Sequence, residues 1–105
     1  SSSALDGNEG RSAYSSAKAA MIAQAKVLSR EVGIYNIRVN AIAPGLTNTD
    51  MMRKNTPEEI LNEVTSRISL KRIANPEEIA NVVLLLSSDL TSYITGQVIR
   101  VDGGM

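Results

Sequence analysis

Two short segments rich in β-branched residues, at residues 37–43 and 97–101, constrain the fold of this chain more than any other feature. The first is mostly apolar and ends at Pro44-Gly45, which is typical of a largely buried strand followed by a loop. Helical sequence lies before and between the two segments, so we predict an α/β layer arrangement. Because two strands cannot form a self-sufficient doubly wound sheet, we also expect strands to be missing on the N-terminal side.

The longest predicted helix is Ser12–Val32, which consists of strong helix formers and follows a polar, glycine-containing loop at residues 1–11. We predict that Gly33 ends this helix as its C-cap residue. Apolar residues recur at three- and four-residue steps on two faces, so we predict that one face packs on a sheet and the other on a helix. The first face holds Ala17, Met21, Ala25, Leu28 and Val32, and the second holds Ala13, Ala20, Ala23 and Val27.

Two start signals predict shorter helices further along the chain. Thr56 and Pro57 precede two glutamates, which predicts a helix to about residue 69 with Thr56 as its N-cap. Asn75 and its following proline repeat this signal and predict a helix over Pro76–Ser87 with a capping box. Four residues of that helix are expected to face the core, namely Ile79, Val82, Val83 and Leu86.

The composition excludes several classes of function. With no Cys and no His, the chain lacks thiol nucleophiles, disulfides, His-based triads and the commonest nitrogen and sulfur metal ligands. Eleven basic and 11 acidic residues give zero net charge, so we expect a small-molecule ligand and neither nucleic acid nor an anionic membrane as partner. The longest apolar run, residues 82–86, is too short to cross a bilayer, and no leader segment opens the chain, so we expect a cytoplasmic protein.

Tyr14 and Lys18 are the residues best suited to acid–base chemistry. They lie four apart on the predicted helix, so their side chains project from one face. An ammonium near a phenol stabilises the phenolate, which would let Tyr14 exchange a proton with a carbonyl or alcohol oxygen. By spacing alone, a solvated Lys beside a packed Tyr is the commoner arrangement, since many helices contain such a pair by chance.

Four motifs together resemble the short-chain dehydrogenase/reductase family. They are Tyr14-Ser-Ser-Ala-Lys18, which resembles the active-site helix; Arg38-Val-Asn-Ala-Ile-Ala-Pro-Gly45, which resembles a strand and its Pro-Gly turn; Asn75-Pro-Glu-Glu-Ile-Ala80, which resembles the start of the penultimate helix; and Tyr93-Ile-Thr-Gly96 with Val101-Asp-Gly-Gly104, which resembles the C-terminal signature. The resemblance implies that residues 1–105 are the C-terminal catalytic portion of a single Rossmann-like domain with a doubly wound parallel sheet. The sequences of these motifs are most similar to those of the 3-oxoacyl-carrier-protein reductase and glucose dehydrogenase-like branch.

The resemblance also implies an NAD- or NADP-dependent oxidoreductase that transfers hydride between the nicotinamide and a carbonyl or secondary alcohol. In this interpretation Tyr14 is the general acid/base, and Lys18 stabilises its phenolate and holds a ribose hydroxyl. The family's catalytic serine falls on Ser1, whose hydroxyl would polarise the substrate oxygen. No metal is implied.

The segment after the first strand resembles the family's nicotinamide-side loop. Pro44, Gly45, the Thr47 backbone and the Thr49 hydroxyl would contact the carboxamide side of the cofactor. Most relatives have Ile or Val where this chain has Thr47. Two methionines at residues 51–52 correspond to the start of the substrate lid, although they could equally fill a core. We expect Arg72 to form a structural ion pair, and the glutamates at residues 77–78 to favour a helix N-terminus.

An alternative hypothesis is a non-catalytic piece of such an enzyme, either an inactive fragment or an oligomerisation module. The chain has no initiator Met and opens on a run of serines, so we expect it to be part of a longer protein. The Gly-rich phosphate-binding turn that follows a first strand is not found in it, so we expect weak cofactor binding by these 105 residues alone. Family members pair through the long helix and the final strand, which implies a homodimer or homotetramer.

Overall fold

The computed structural model describes Gly7 and residues 9–105 of the chain, and in this part helices surround two short parallel strands. The helices are α1 (Ser12–Val32), α2 (Asp50–Asn55), α3 (Glu58–Arg67) and α4 (Pro76–Ser87), and the strands are β1 (Ala41–Pro44) and β2 (Val98–Val101). Short 3-10 turns follow α1 at Gly33–Tyr35 and α4 at Asp89–Thr91. The predicted α/β arrangement is confirmed.

The two strands pair in parallel, with Ala41 opposite Val98 and Pro44 opposite Val101. Their carboxyl ends therefore lie at the same edge, which is where ligands bind in open α/β sheets. Beyond that edge a further bridge joins Thr47 to Ala74 and continues the parallel pairing. The loop that follows β1 is consequently held by backbone pairing.

Both strands are shorter than the sequence predicts because a side chain takes over the pairing at their start. Asn40 donates from Nδ2 to the carbonyl of Ile94 at 3.0 Å, and its Oδ1 accepts the Gln97 N–H at 3.0 Å. The Val39 N–H is likewise bound by the Thr95 hydroxyl at 3.1 Å. These side-chain bonds stand beside the backbone bond from the Gly96 N–H to the Val39 carbonyl at 2.8 Å and interrupt the regular ladder, and residues 37–40 and 97 lie outside the strands.

Helix α1 has the predicted bounds, and the chain reverses after its C-terminal end. Gly33 is right-handed, with φ −59° and ψ −33°, and the chain continues into the 3-10 turn. The left-handed residue is Asn36, with φ 58°, and its N–H bonds the carbonyl of Gly33. Gly33 is thus the C-cap residue, as predicted, but in right-handed backbone, and Asn36, a residue type that tolerates the left-handed conformation, reverses the chain.

The two predicted buried faces of α1 are not covered in the described chain. Met21 is 61% exposed and Val27 is 56% exposed. The helix approaches the sheet closely at Ser29, which is buried and whose Oγ would lie 2.7 Å from a Cβ placed on Gly96. Within the described residues, all four members of the second face and three of the five members of the first are exposed, so the prediction was wrong for most of both faces.

Helix α2 was not predicted, and α3 begins one residue later than the sequence indicates. The Thr49 side chain accepts the Met52 N–H at 3.1 Å and so caps α2. At α3 the N-cap residue is Pro57, in extended backbone with ψ 150°, so the prediction that Thr56 caps this helix was wrong. The prediction missed α2 because its six residues are too few to show a helical period.

Helix α4 has the predicted bounds and the predicted capping box at Asn75. Three of the four residues predicted to face the core are half-buried, whereas Val83 is 47% exposed and its assignment to the core was wrong. Arg38 anchors the turn after α4 to the start of β1, because its guanidinium donates to the carbonyls of Ser88 and Ile94, each at 3.1 Å. The core is small and consists of Ala43, Met52 and Ile68.

A titratable ion pair joins the segment before α4 to its first turn. Arg72 donates to both carboxylate oxygens of Glu78 at 2.7 and 2.8 Å, as expected for a structural ion pair. The hydrogen bond from Arg72, followed by that from the Asn75 N–H, lowers the pKa of Glu78 from 4.5 to about 2. Both side chains are substantially exposed, so the pair stabilises the fold only modestly.

We expect this pair to make stability depend on pH in one narrow range. Because the pKa of Glu78 is lower in the folded state, its contribution is present above pH 4.5 and is lost as the pH falls to about 2. Replacing Arg72 with Met should raise the pKa of Glu78 towards 4.5, measured by a carboxyl NMR titration. Glu77→Gln is the matched control and should leave the Glu78 titration unchanged. An unchanged pKa in Arg72→Met would contradict the assignment.

Candidate active site

Tyr14 and Lys18 lie in the first two turns of α1 and share one face of the helix. The Lys18 ammonium is 5.6 Å from the centroid of the Tyr14 ring. Tyr14 is 39% exposed and Lys18 is half-buried, so both remain accessible to a ligand. The contact places a cation beside the aromatic ring of Tyr14.

The Pro-Gly turn at the end of β1 faces this pair. An open cleft of about 330 Å³ is lined by Tyr14, Lys18, Pro44 and Gly45. Its walls come from the helix before β1 and from the carboxyl end of β1 itself. The fold therefore brings four of the predicted site residues around one space, although they belong to two separate segments of sequence.

Thr47 and Thr49 follow in the same loop but do not line that cleft. The Thr47 hydroxyl donates to the carbonyl of Gly45 at 3.0 Å, which stiffens the turn. The Thr49 hydroxyl accepts the Met52 N–H in the first turn of α2 at 3.1 Å. Both hydroxyls thus hold the loop and its following helix in shape, and their proposed contacts with a cofactor stay predictions.

Ser1, the third catalytic candidate, lies outside the described residues. The two methionines of the lid segment differ in environment, since Met52 is 8% exposed and Met51 is 72% exposed. Met52 is therefore a core residue. Met51 remains available to meet a substrate.

Arg11 was not predicted as a site residue, yet its guanidinium carbon lies 4.2 Å from the centroid of the Tyr14 ring. It occupies the N-cap position of α1 and makes no capping bond there. Two cations, Arg11 and Lys18, thus lie close to Tyr14. The spacing of three residues before Tyr14 was a usable signal, because residues three apart near a helix meet on one side.

A larger cavity, of about 450 Å³, lies between β1 and α4. It is lined by Arg38, Val39, Asn40, Ile42, Val83, Leu86 and Ser87, none of which borders the Tyr14 cleft. Arg38 and Asn40 are already engaged in the hydrogen bonds that hold the turn after α4. The smaller cleft is therefore the better candidate, since chemically competent groups converge there.

The described part of the chain lacks two kinds of feature, a cluster of metal-binding side chains and a membrane-spanning helix. Residues 7 and 9–105 contain no cluster of acidic side chains that could hold a metal ion. Within the same residues, no helix is both long enough and apolar enough to cross a membrane.

Comparisons with known proteins give a consistent result. The family model described as enoyl-(acyl carrier protein) reductase matches residues 1–105. The chain is 52% identical over 101 residues to a 3-oxoacyl-[acyl-carrier-protein] reductase of Chlamydia trachomatis, covering 96% of this chain and 40% of that protein. It is 47% identical over 90 residues to a 3alpha-hydroxysteroid dehydrogenase of Mediterraneibacter gnavus, covering 86% of this chain and 36% of that protein.

A solved structure extends the likeness to the fold. The short-chain dehydrogenase/reductase of Brucella melitensis, described as a glucose/ribitol dehydrogenase, superposes with a TM-score of 0.90 at 34% identity. The match covers 97% of this chain and 41% of that one. The chain thus spans about 40% of the length of the relatives it matches.

Proposed function

Because this chain belongs to the short-chain dehydrogenase/reductase family, a family of oxidoreductases, we propose that it is the catalytic portion of an enzyme that reduces a carbonyl or oxidises a secondary alcohol with NAD or NADP. One observation carries the proposal: Tyr14 and Lys18 share a cleft with Pro44 and Gly45. A proton donor, a cation and an open backbone turn are the parts that such a reaction needs at one place.

The groups around the cleft fit a nicotinamide nucleoside. Among the residues that the structure describes, Lys18 has no ion-pair partner, so its ammonium donors are left for ribose hydroxyls. Pro44 and Gly45 line the cleft at the carboxyl end of β1, so we expect a flat ring to lie against this turn. The Thr47 backbone and the Thr49 hydroxyl follow at the same edge, where they would meet the carboxamide.

The proposed mechanism follows from these positions. The bound nicotinamide supplies or accepts the hydride. During reduction Tyr14 donates its phenolic proton to the carbonyl oxygen, and during oxidation the phenolate takes the proton back from the alcohol. Lys18 and Arg11, which both lie near the Tyr14 ring, favour the negative charge that Tyr14 then carries. Ser1 would donate a hydrogen bond to the same substrate oxygen.

The relatives support a carbonyl substrate and favour a 3-oxoacyl group. One is named for the reduction of a 3-oxoacyl carrier protein and another for the dehydrogenation of a hydroxysteroid. Both names describe a carbonyl and secondary-alcohol pair. A 3-oxoacyl thioester is therefore the first substrate to test, with a 3-hydroxysteroid as the second.

Exposed apolar side chains on two faces of α1 support self-association. Met21, Val27 and Leu28 are 61%, 56% and 39% exposed. Exposed apolar side chains on one helix are typical of an interface. We propose a homodimer or homotetramer that uses this helix, and we propose neither nucleic acid nor membrane as partner.

The proposal is tested by comparing the full-length protein with the isolated 105-residue chain. We expect the full-length protein to oxidise NADH or NADPH in the presence of a 3-oxoacyl thioester, followed by the absorbance of the reduced nicotinamide. We expect the isolated chain to bind either cofactor weakly, because it contains no Gly-rich phosphate-binding turn. Fluorescence titration measures that binding, and a Kd on the order of micromolar would contradict the expectation.

The same experiment addresses the alternative hypothesis. A full-length protein that shows no turnover with any carbonyl or alcohol would favour a non-catalytic oligomerisation module. Turnover in the full-length protein with none in the isolated chain would support the enzyme and assign the missing part to cofactor binding.

A further inference from the structure

We propose that Asp102 is a positioning residue. Through the C-terminal turn, which is residues 102–104, it sets the loop after β1 and the chain that follows α3. The proposal rests on the proposed function, because it concerns the same cleft. Asp102 lies directly after β2, as Gly45 lies directly after β1. The parallel pairing of the two strands brings these residues side by side.

The carboxylate of Asp102 organises the turn. Its Oδ1 accepts the N–H of Gly104 at 3.0 Å, and its Oδ2 accepts from Nε of Arg100 at 3.0 Å. The Asp102 side chain is only 10% exposed. The hydrogen bond from Arg100 is the main cause that lowers the pKa of Asp102, so the group is a fixed anion at neutral pH. Both oxygens are thus committed to holding the turn.

The backbone of Asp102 is pressed against the Pro-Gly turn of the cleft. A Cβ placed on Gly45 would lie 2.8 Å from both Cα and Cβ of Asp102. The Gly45 N–H donates to the carbonyl of Val101 at 2.9 Å. The position of Gly45, and with it one wall of the cleft, therefore depends on where Asp102 lies.

The same turn also holds the chain after α3. The Leu70 N–H donates to the carbonyl of Gly103 at 3.1 Å, and the Ser69 hydroxyl donates to the carbonyl of Gly104 at 2.7 Å. A Cβ on Gly103 would lie 2.8 Å from Cγ2 of Ile68, which is fully buried. Gly103 and Gly104 have φ of 66° and 83°, which lets the backbone approach this closely.

Residues 45–70, which contain α2 and α3, therefore contact the C-terminal turn at both ends of the segment. Tyr14 and Lys18 lie on α1, which the turn does not contact in the bonds described above. Loosening the turn should consequently move the cofactor-side wall and the lid, while the acid–base pair stays in place. The expected effect is on cofactor binding more than on the chemical step.

The test uses steady-state kinetics of the full-length enzyme with Asp102→Ala and Asp102→Asn. We expect Asp102→Ala to raise the KM for NADH or NADPH about tenfold while kcat changes less than about threefold. Asp102→Asn keeps an oxygen that can accept the Gly104 N–H, so its KM should lie within about threefold of the unsubstituted enzyme. Glu77→Ala, an exposed acid in the first turn of α4, is the matched control.

Hydrogen exchange supplies a second measurement that does not depend on catalysis. We expect Asp102→Ala to speed exchange at the amides of Gly45 and Leu70, and to leave the Asn36 amide at the end of α1 unchanged. Equal KM and equal exchange in Asp102→Ala would overturn the inference, even if Tyr14 proves essential. The inference would also be overturned if Asp102→Ala lowered kcat and raised KM to a similar extent and Asp102→Asn did not restore either value. An unsubstituted enzyme without nicotinamide-dependent turnover would instead overturn the proposed function, and this inference with it.

If Asp102→Ala does not fold, Asp102→Asn decides the matter by itself. Asparagine keeps an acceptor for the Gly104 N–H but loses the negative charge that faces Arg100, so faster exchange at Gly45 with a KM raised no more than about threefold supports the inference, and unchanged exchange at Gly45 contradicts it. Circular dichroism establishes that each variant is folded before it is assayed.

Discussion

Tyr14→Phe in the full-length enzyme is expected to lower kcat/KM for carbonyl reduction by roughly 10²- to 10⁴-fold, the size of a lost general acid. The ring that Lys18 and Arg11 approach would remain, and only the proton donor would be removed. Within the part of the chain that the structure describes, the phenolic oxygen forms no protein hydrogen bond. Its removal should therefore leave no polar group unpaired, and the stability of the fold should be unchanged.

The matched control for that variant is Tyr35→Phe. Tyr35 lies in the 3-10 turn after α1 and is 69% exposed, so losing its hydroxyl should leave kcat/KM unchanged. The Kd for NADH or NADPH should also be nearly the same in Tyr14→Phe, which separates a lost proton donor from a damaged binding site. Full activity in Tyr14→Phe would sink the assignment of Tyr14 as the general acid/base.

Local signals in the sequence predicted the helices better than the strands. The bounds of α1 and the capping box at Asn75 depend on residues within one or two turns, so propensity and capping rules reach them. The start of β1 depends instead on Asn40, whose amide binds residues 94 and 97 more than 50 positions away. No local pattern reveals such a bond, so the strand was predicted too long.

In the candidate site, too, features set by nearby residues were predictable and features set by distant residues were not. The shared face of Tyr14 and Lys18 follows from their spacing, because helical residues four apart meet. The approach of Pro44 and Gly45 to that face depends on the tertiary structure. The resemblance to a family implied this approach, whereas the spacing of residues in the sequence did not. Asp102 was missed because its contact with Gly45 arises from the register of two paired strands.

The faces of α1 mark where sequence and described structure differ most. The apolar pattern predicts burial on two sides, whereas Met21 and Val27 are largely exposed in the described chain. A space of about 350 Å³ also separates the Lys18 face of α1 from β1. Apolar surface of this kind is stabilising only when it is removed from water. The pattern therefore supports the proposal that further protein, from the same polypeptide or a second copy, covers this helix.

Gly45→Ala is expected to destabilise the full-length protein by about 1–3 kcal/mol and to weaken cofactor binding. The new Cβ would lie 2.8 Å from the backbone Cα of Asp102, an atom that cannot rotate away as a side chain could. Relief requires that the carboxyl ends of β1 and β2 separate, which displaces the wall of the cleft that faces Tyr14 and Lys18. Urea unfolding at fixed protein concentration measures the first effect, and NADPH titration measures the second.

Gly33→Ala is expected to change the stability of the protein in the opposite direction. Gly33 has φ −59° and ψ −33°, and no heavy atom lies within 4 Å of a Cβ placed there. Alanine adopts this backbone without strain and restricts the unfolded chain, so the substitution should stabilise the protein by about 0.4–1 kcal/mol. If both variants shifted stability in the same direction, close packing of Gly45 against Asp102 would not be the cause. Changes of opposite sign in the free energy of unfolding, with weaker NADPH binding only in Gly45→Ala, would show that the packing of the strand ends determines the shape of the cleft.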